Sequence, residues 1–169
     1  QTKTMEGLGK VMSAARFAAE KHTGQTRKGN GSPYINHPLE VANLLTEVGG
    51  VDDVDTITAA LLHDIVEDSD VTFDEIEQRF GATVAGYVRE LTDDKSLPKA
   101  ERKRLQVETA PAKSHRAKLI KIADKTSNLR SIAKSPPVGW DLKRQREYFD
   151  WAARVVAGCR GTNATLEAW

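Results

Sequence analysis

Apolar positions along the chain recur every three or four residues, and alternating runs of β-branched residues are few. That period predicts helices over residues 6–21, 38–48, 55–67, 72–80, 83–92, 98–109, 114–132 and 142–158, with a short last one from residue 163. Start signals support several of them. Asp70–Val71–Thr72–Phe73–Asp74–Glu75 sets capping residues ahead of a periodic segment, and Ser114 precedes a long one. Gly49–Gly50 and Gly81 read as stops, and Pro136–Pro137 separates the last helical hairpin. No internal repeat or low-complexity tract interrupts the series. The pattern therefore predicts an all-α helical bundle. At 169 residues it forms a single domain over 1–169, long enough to bury roughly 70% of its unfolded surface. Met5 reads as the native start, with residues 1–4 as an extension ahead of it.

The third predicted helix departs from an ordinary amphipathic pattern. Its sequence, "ITAALLHDIVEDSDV" over 57–71, mixes core residues with acids and a histidine. On an α-helix His63 and Glu67 are four apart, Asp64 and Glu67 three apart, and Asp64 and Asp68 four apart, so all four share one side. Ala59, Ala60, Leu61, Leu62, Ile65 and Val66 cover most of the rest, which predicts burial nearly all round. Buried charges need pairing, hydrogen bonds or a metal. A divalent cation would relieve the repulsion, with His63 and Asp64 reaching one ion and Glu67 and Asp68 left free a turn later. The plainer alternative is an acidic helix end that faces solvent.

Further ligand candidates are few. His37 ends a glycine-rich loop and precedes Pro38, a setting that suits a fixed position at a helix start. In "KLIKIADKTSNLRSI", Asp124, Asn128 and Ser131 form a polar stripe on a second, mostly apolar helix. His22 and His115 lack such support and read as surface or capping residues. The loop "HTGQTRKGNGSPYINHP", 22–38, carries Arg27 and Lys28; loops of this length in helical domains are more often functional than idle. Tyr34 reads as packing that loop against the site.

Composition narrows the function. Net charge is +1, from 25 basic and 24 acidic residues, which argues against broad nucleic-acid binding but leaves room for a small basic pocket. Cys159 is the only cysteine, so no internal disulfide can form. No apolar run approaches membrane-spanning length, and the default is a cytoplasmic protein. The basic clusters "KAERKR" and "KRQR" read as solvated helix faces. Trp140, Trp151 and Trp169 read as core or helix-packing residues rather than a base-stacking platform.

Taken together, His37, His63–Asp64 and Asp124 resemble the H…HD…D signature of the HD-domain phosphohydrolases. Within that superfamily "HTGQTRKGNGSPYINHP", "ALLHDIVEDSDVT" and "LIKIADKTSNLRSI" resemble the hydrolase domain of the RelA/SpoT proteins, which degrade the alarmones ppGpp and pppGpp. The later "REYFDWAARVV" resembles the small stand-alone hydrolases of the Mesh type. The resemblance runs from about Leu8 to Leu166 and leaves no length for synthetase or regulatory domains.

It implies that His37, His63, Asp64 and Asp124 bind one Mn²⁺ ion, although two histidines and two aspartates also suit Zn²⁺ or Fe²⁺. It implies that Glu67 and Asp68 handle the attacking water, that Arg27 and Lys28 bind the substrate in the loop, and that Asn128 contacts the nucleoside. Arg144 and Tyr148 match pocket residues of the stand-alone branch. Thr126–Ser127 departs from the usual leucine followed by an aromatic or histidine, which affects the nucleoside pocket rather than the metal ligands.

The implied reaction is metal-dependent hydrolysis of the 3′-pyrophosphate of ppGpp or pppGpp, and the implied ligand is a small-molecule nucleotide, with no nucleic acid and no membrane. A phosphatase acting on another nucleotide, such as removal of the 2′-phosphate of NADPH, would need the same metal site. A non-catalytic nucleotide-binding module is disfavoured, because it would be expected to lack a ligand or the Glu67–Asp68 pair.

Overall fold

The computed structural model describes residues 2–29 and 31–169; Gln1 and Asn30, which fall in the extension and loop noted above, lie outside the described residues. Among the described residues the chain is helical without a β-sheet. Its order is α1 (Thr2–Lys21), α2 (Asn36–Asn43), α3 (Val54–Leu62), α4 (Ile65–Asp68), α5 (Phe73–Phe80), α6 (Ala82–Leu91), α7 (Lys99–Thr109), α8 (His115–Lys134), α9 (Leu142–Ala157) and α10 (Ala164–Glu167). None of these helices is long and apolar enough to cross a membrane.

Local chemistry accounts for most boundaries. Asp53, Thr72, Ser114, Asp141 and Asn163 each place a side-chain oxygen on a free backbone N–H at the start of α3, α5, α8, α9 and α10. Gly81 separates α5 from α6 at φ 99°, a conformation that favours glycine.

At the centre stands α3, with every residue from Thr56 to Leu62 buried. It packs against α1, α2, α6 and α8. A second apolar cluster, Trp151, Ala152 and Val155 with Val107, Leu129 and Tyr148, ties α7 and α9 to α8. The result is that α8 touches both halves of the core and can carry residues to a site on either.

Two predicted helices are corrected. The one over 38–48 begins at Asn36 and widens to a π-turn over Leu44–Val48, closed by Gly49 N–H to the Leu44 carbonyl at 3.0 Å. The one over 55–67 is interrupted. After Leu62 the chain passes through His63 and then Asp64, whose φ of −102° and ψ of −1° lie in the sparsely used bridge region, before α4 begins. His63 turns its ring back so that Nδ1 meets the Ala60 carbonyl at 2.6 Å. The opening lies at the residues expected to do chemistry.

The 22–38 loop is a hairpin, not a slack connection. Thr26 and Pro33 form an isolated antiparallel bridge. Arg27 N–H bonds the Ser32 carbonyl at 2.8 Å, and Tyr34 N–H bonds the Gln25 carbonyl at 2.9 Å. Its tip sits on the end of α8: a Cβ added to Gly29 would fall 2.1 Å from the Ser135 carbonyl oxygen. Gly29→Ala should therefore destabilise the protein by about 1–3 kcal/mol. Gly86→Ala, on the exposed side of α6 where a new methyl meets nothing, should stabilise it by about 1 kcal/mol. Urea unfolding of the two variants measures both signs.

Candidate active site

Four side chains converge where α2, the α3–α4 break and α8 meet. His37 Nε2 lies 2.9 Å from Asp124 Oδ1, and His63 Nε2 lies 3.2 Å from the same oxygen. Asp64 Oδ2 is 3.1 Å from His63 Nε2 and 3.8 Å from His37 Nε2. One ligand atom from each residue falls within 4.8 Å of all the others. His37, His63 and Asp124 are buried, and Asp64 is half-buried.

This arrangement fits a divalent cation. Ligands about 2.0–2.2 Å from one ion sit roughly 3–3.6 Å from each other, close to the separations found. The far sides of the ligands are held as well. His37 Nδ1 meets Ser127 Oγ at 2.9 Å, His63 Nδ1 donates to the Ala60 carbonyl, and Lys125 Nζ stands 3.5 Å from Asp124 Oδ2. With its proton on Nδ1, a neutral His63 would turn a lone pair on Nε2 toward two carboxylates, so positive charge is wanted there, from a proton or from a cation.

The titration directions agree. Burial opposes a charge on His63, yet Asp64 and the hydrogen bonds to Asp124 and Asp64 raise its pKa well above the imidazole range. Burial alone would raise both aspartates. His63 holds Asp64 below its usual range, and Lys125 with the two histidines does the same for Asp124.

Glu67 and Asp68 follow on α4. Glu67 is half-buried, and its Oε2 accepts from Asp93 N–H at 3.4 Å. Burial first, then the charges of Asp64 and Asp93, push its pKa up to about 7. Asp68 is more exposed and is also raised, by burial and by Asp64. The backbone of the pair is clamped: Lys95 Nζ donates to the Glu67 carbonyl, and Gln25 Nε2 donates to the Asp68 carbonyl at 2.8 Å.

Beside the cluster a cavity of about 250 Å³ is lined by Arg27, Lys28, Lys99, Lys103, Asn128, Ser131, Trp140 and Tyr148 among others. Tyr148 connects the two regions. Its pKa is raised by burial and then by Asp124, with smaller effects from Asn128, Asp64 and Arg27. Arg144 does not line the cavity; its guanidinium lies over the Trp140 ring, 4.4 Å from the centroid. The polar stripe on α8 thus runs from the cluster at Asp124 to the cavity at Asn128 and Ser131.

Several residues differ from their sequence reading. His22 is buried, not a surface residue, and its ring packs against that of Tyr34, tilted at 45° with centroids 4.9 Å apart; His115 is exposed. Tyr34 does more than pack the loop, since its hydroxyl donates to Asp64 Oδ2 at 2.5 Å. Burial and the Asp64 charge raise its pKa and keep that hydroxyl protonated. Lys99 and Lys103 line the cavity rather than a plain solvated face, and Trp140 lines it too. Trp151 is a packing residue as expected, whereas Trp169 is exposed. Ser127, noted only as a departure in sequence, holds His37.

Comparison with known proteins extends these observations. The chain is 57% identical over 158 residues to the zebrafish (Danio rerio) protein named guanosine-3′,5′-bis(diphosphate) 3′-pyrophosphohydrolase MESH1, covering 93% of this chain and 88% of that protein. It is 56% identical to the Homo sapiens protein of the same name, with the same coverage. A solved structure described as a metazoan orthologue of SpoT that hydrolyses ppGpp and plays a role in starvation responses superposes with a TM-score of 0.92. The two share 50% identity over 94% of this chain and 90% of that one. The HD domain family matches residues 14–163, an extent that places the chain in that family, on the branch of the small MESH1 hydrolases.

Proposed function

We propose that the chain hydrolyses the 3′-pyrophosphate ester of ppGpp and pppGpp, releasing pyrophosphate and GDP or GTP. The observation that carries this reading is the nearness of two unlike sites: a cluster fit for a divalent cation, and a cavity carrying Arg27, Lys28, Lys99 and Lys103. A nucleotide with diphosphates on two ribose carbons needs both. Cationic side chains meet its many phosphate oxygens, and a metal meets the phosphorus to be attacked. Relatives at 56–57% identity carry this activity in their names.

In this reading His37, His63, Asp64 and Asp124 hold one ion, Mn²⁺. Such an ion would polarise the phosphoryl centre and lower the pKa of the attacking water. Glu67 and Asp68 act as a coupled pair that accepts the proton of that water. A carboxylate whose pKa stands near 7 has the proton affinity this task requires. Arg27 grips the leaving pyrophosphate through its planar fork, and Lys28 adds a point charge. Asn128 contacts the nucleoside, while Trp140 and Tyr148, with ring centroids 5.8 Å apart, offer apolar faces to the base. Arg144 steadies Trp140 from outside. A cytoplasmic setting accords with the single, buried and unpaired Cys159.

The test is a product assay on metal-stripped protein supplied with Mn²⁺ and either ppGpp or NADPH. Mn²⁺-dependent GDP and pyrophosphate are expected from ppGpp. Orthophosphate from NADPH, with nothing from ppGpp, would retain the metal site and replace the substrate. Asp64→Ala should lose both turnover and Mn²⁺ binding, the second read by calorimetry.

The pH profile follows from Glu67. Its carboxylate form accepts the proton, so activity should rise as pH climbs through its pKa and fall away on the acid side. A cation next to Asp64 cancels part of the charge that raises Glu67, so the limb should lie below pH 7 in the loaded protein. Glu67→Gln should cut kcat by about 10²–10⁴-fold and flatten that limb, with Mn²⁺ binding retained; stopped assays from pH 5 to 9 would register both changes.

A further inference from the structure

Each of the four clustered ligands has a second contact that fixes its direction, and for Asp64 that contact comes from the hairpin between α1 and α2. His63 is turned by the Ala60 carbonyl on α3, and His37 is held by Ser127. Asp124 is held by Lys125, its neighbour on α8. Asp64 sits in the break between α3 and α4 and makes no capping hydrogen bond to the helix it precedes. Tyr34 Oη donates to Asp64 Oδ2, the same oxygen that faces His63 and His37. Without such a contact the carboxylate would have side-chain rotation to lose before it could share an ion with three fixed partners.

Tyr34 is itself braced. The His22 ring lies 4.9 Å from it at 45°. His22 Nδ1 meets Gln25 Oε1 at 2.7 Å, and Gln25 Nε2 donates to the Asp68 carbonyl. Because the Gln25 amide nitrogen faces carbonyl oxygens, its own oxygen faces His22, which puts the ring proton on Nδ1. His22, Gln25 and Tyr34 all belong to the one hairpin, so that hairpin grips both ends of the Asp64–Asp68 segment.

We propose that Tyr34 is the positioning residue that orients Asp64 toward the cation, and that His22 acts through Tyr34. This rests on the metal-site reading above. Partners of this kind change metal affinity by about 10–100-fold when removed. Tyr34→Phe keeps the ring and deletes only the hydroxyl, so it isolates the hydrogen bond.

Mn²⁺ titrations of metal-stripped protein by calorimetry provide the test. Tyr34→Phe is expected to raise the Mn²⁺ Kd by about 10–100-fold, and kcat should return toward wild type at saturating Mn²⁺. His22→Ala should weaken binding less, and the double variant should bind no worse than Tyr34→Phe alone. Wild-type protein that fails to bind Mn²⁺ would remove the metal-site reading itself. Wild-type protein that binds, with an unchanged Kd in Tyr34→Phe, would overturn the positioning role alone. Additive losses in the double variant would break the link from His22 through Tyr34. Loss of binding that accompanies a collapsed melting transition of the metal-free Tyr34→Phe protein would also count against positioning, since the residue would then serve the fold.

Discussion

Two aspartates with their charges turned inward set the terms for the rest of this molecule. Asp64 and Asp124 face the same small space, with the Nε2 atoms of His37 and His63 between them. Removing such charges from water costs several kcal/mol per ion even after relaxation. The surroundings show how the cost is met. Lys125 leans on Asp124, two imidazoles offer nitrogen, and the separations match those around a single divalent ion. The helix that would have run through His63 and Asp64 opens there, and at that opening His63 Nε2 and Asp64 Oδ2 face each other at 3.1 Å.

The charge demanded at the cluster contrasts with the charge displayed at the cavity. Asp64, Glu67, Asp68 and Asp124 crowd one side, while Arg27, Lys28, Lys99 and Lys103 stand on the other. A nucleotide dense in phosphate would suit such a pairing: the basic side chains would meet its oxygens, and a divalent ion held by the acidic side would offset the repulsion between that side and the phosphates. One helix joins the two regions. Positions 124, 128 and 131 of α8 lie on a single stripe, so α8 presents one member of the cluster and two residues of the cavity wall in fixed register.

The hairpin between α1 and α2 performs the complementary task. Its backbone bridge and the seating of Gly29 on Ser135 tie the loop to itself and to the end of α8. From that base it sends Arg27 and Lys28 to the cavity, Tyr34 to Asp64 and Gln25 to the Asp68 carbonyl. A loop that only covered the site would do none of these things.

The sequence by itself determined the all-α class, most helix boundaries and the residues of unusual chemistry. Helical period, caps and the His63–Asp64–Glu67–Asp68 spacing are local properties, expressed within a few residues. It did not reveal the break at Asp64, because the segment's helical period continues across it; the break shows as contacts of His63 and Asp64 with residues far along the chain. Nor did it distinguish buried His22 from a surface histidine, or mark Lys99, Lys103 and Trp140 as cavity wall. His22 is placed by its contacts with Gln25 and Tyr34, and the cavity wall by residues of α7 and of the turn before α9 meeting Arg27 and Lys28, tens of residues away. Only the tertiary structure brought His37 to Asp124, 87 positions away, and set Tyr34 against Asp64, 30 positions away. Packing of the α3 core against α2 and α8 makes that meeting, and no short window of sequence contains it.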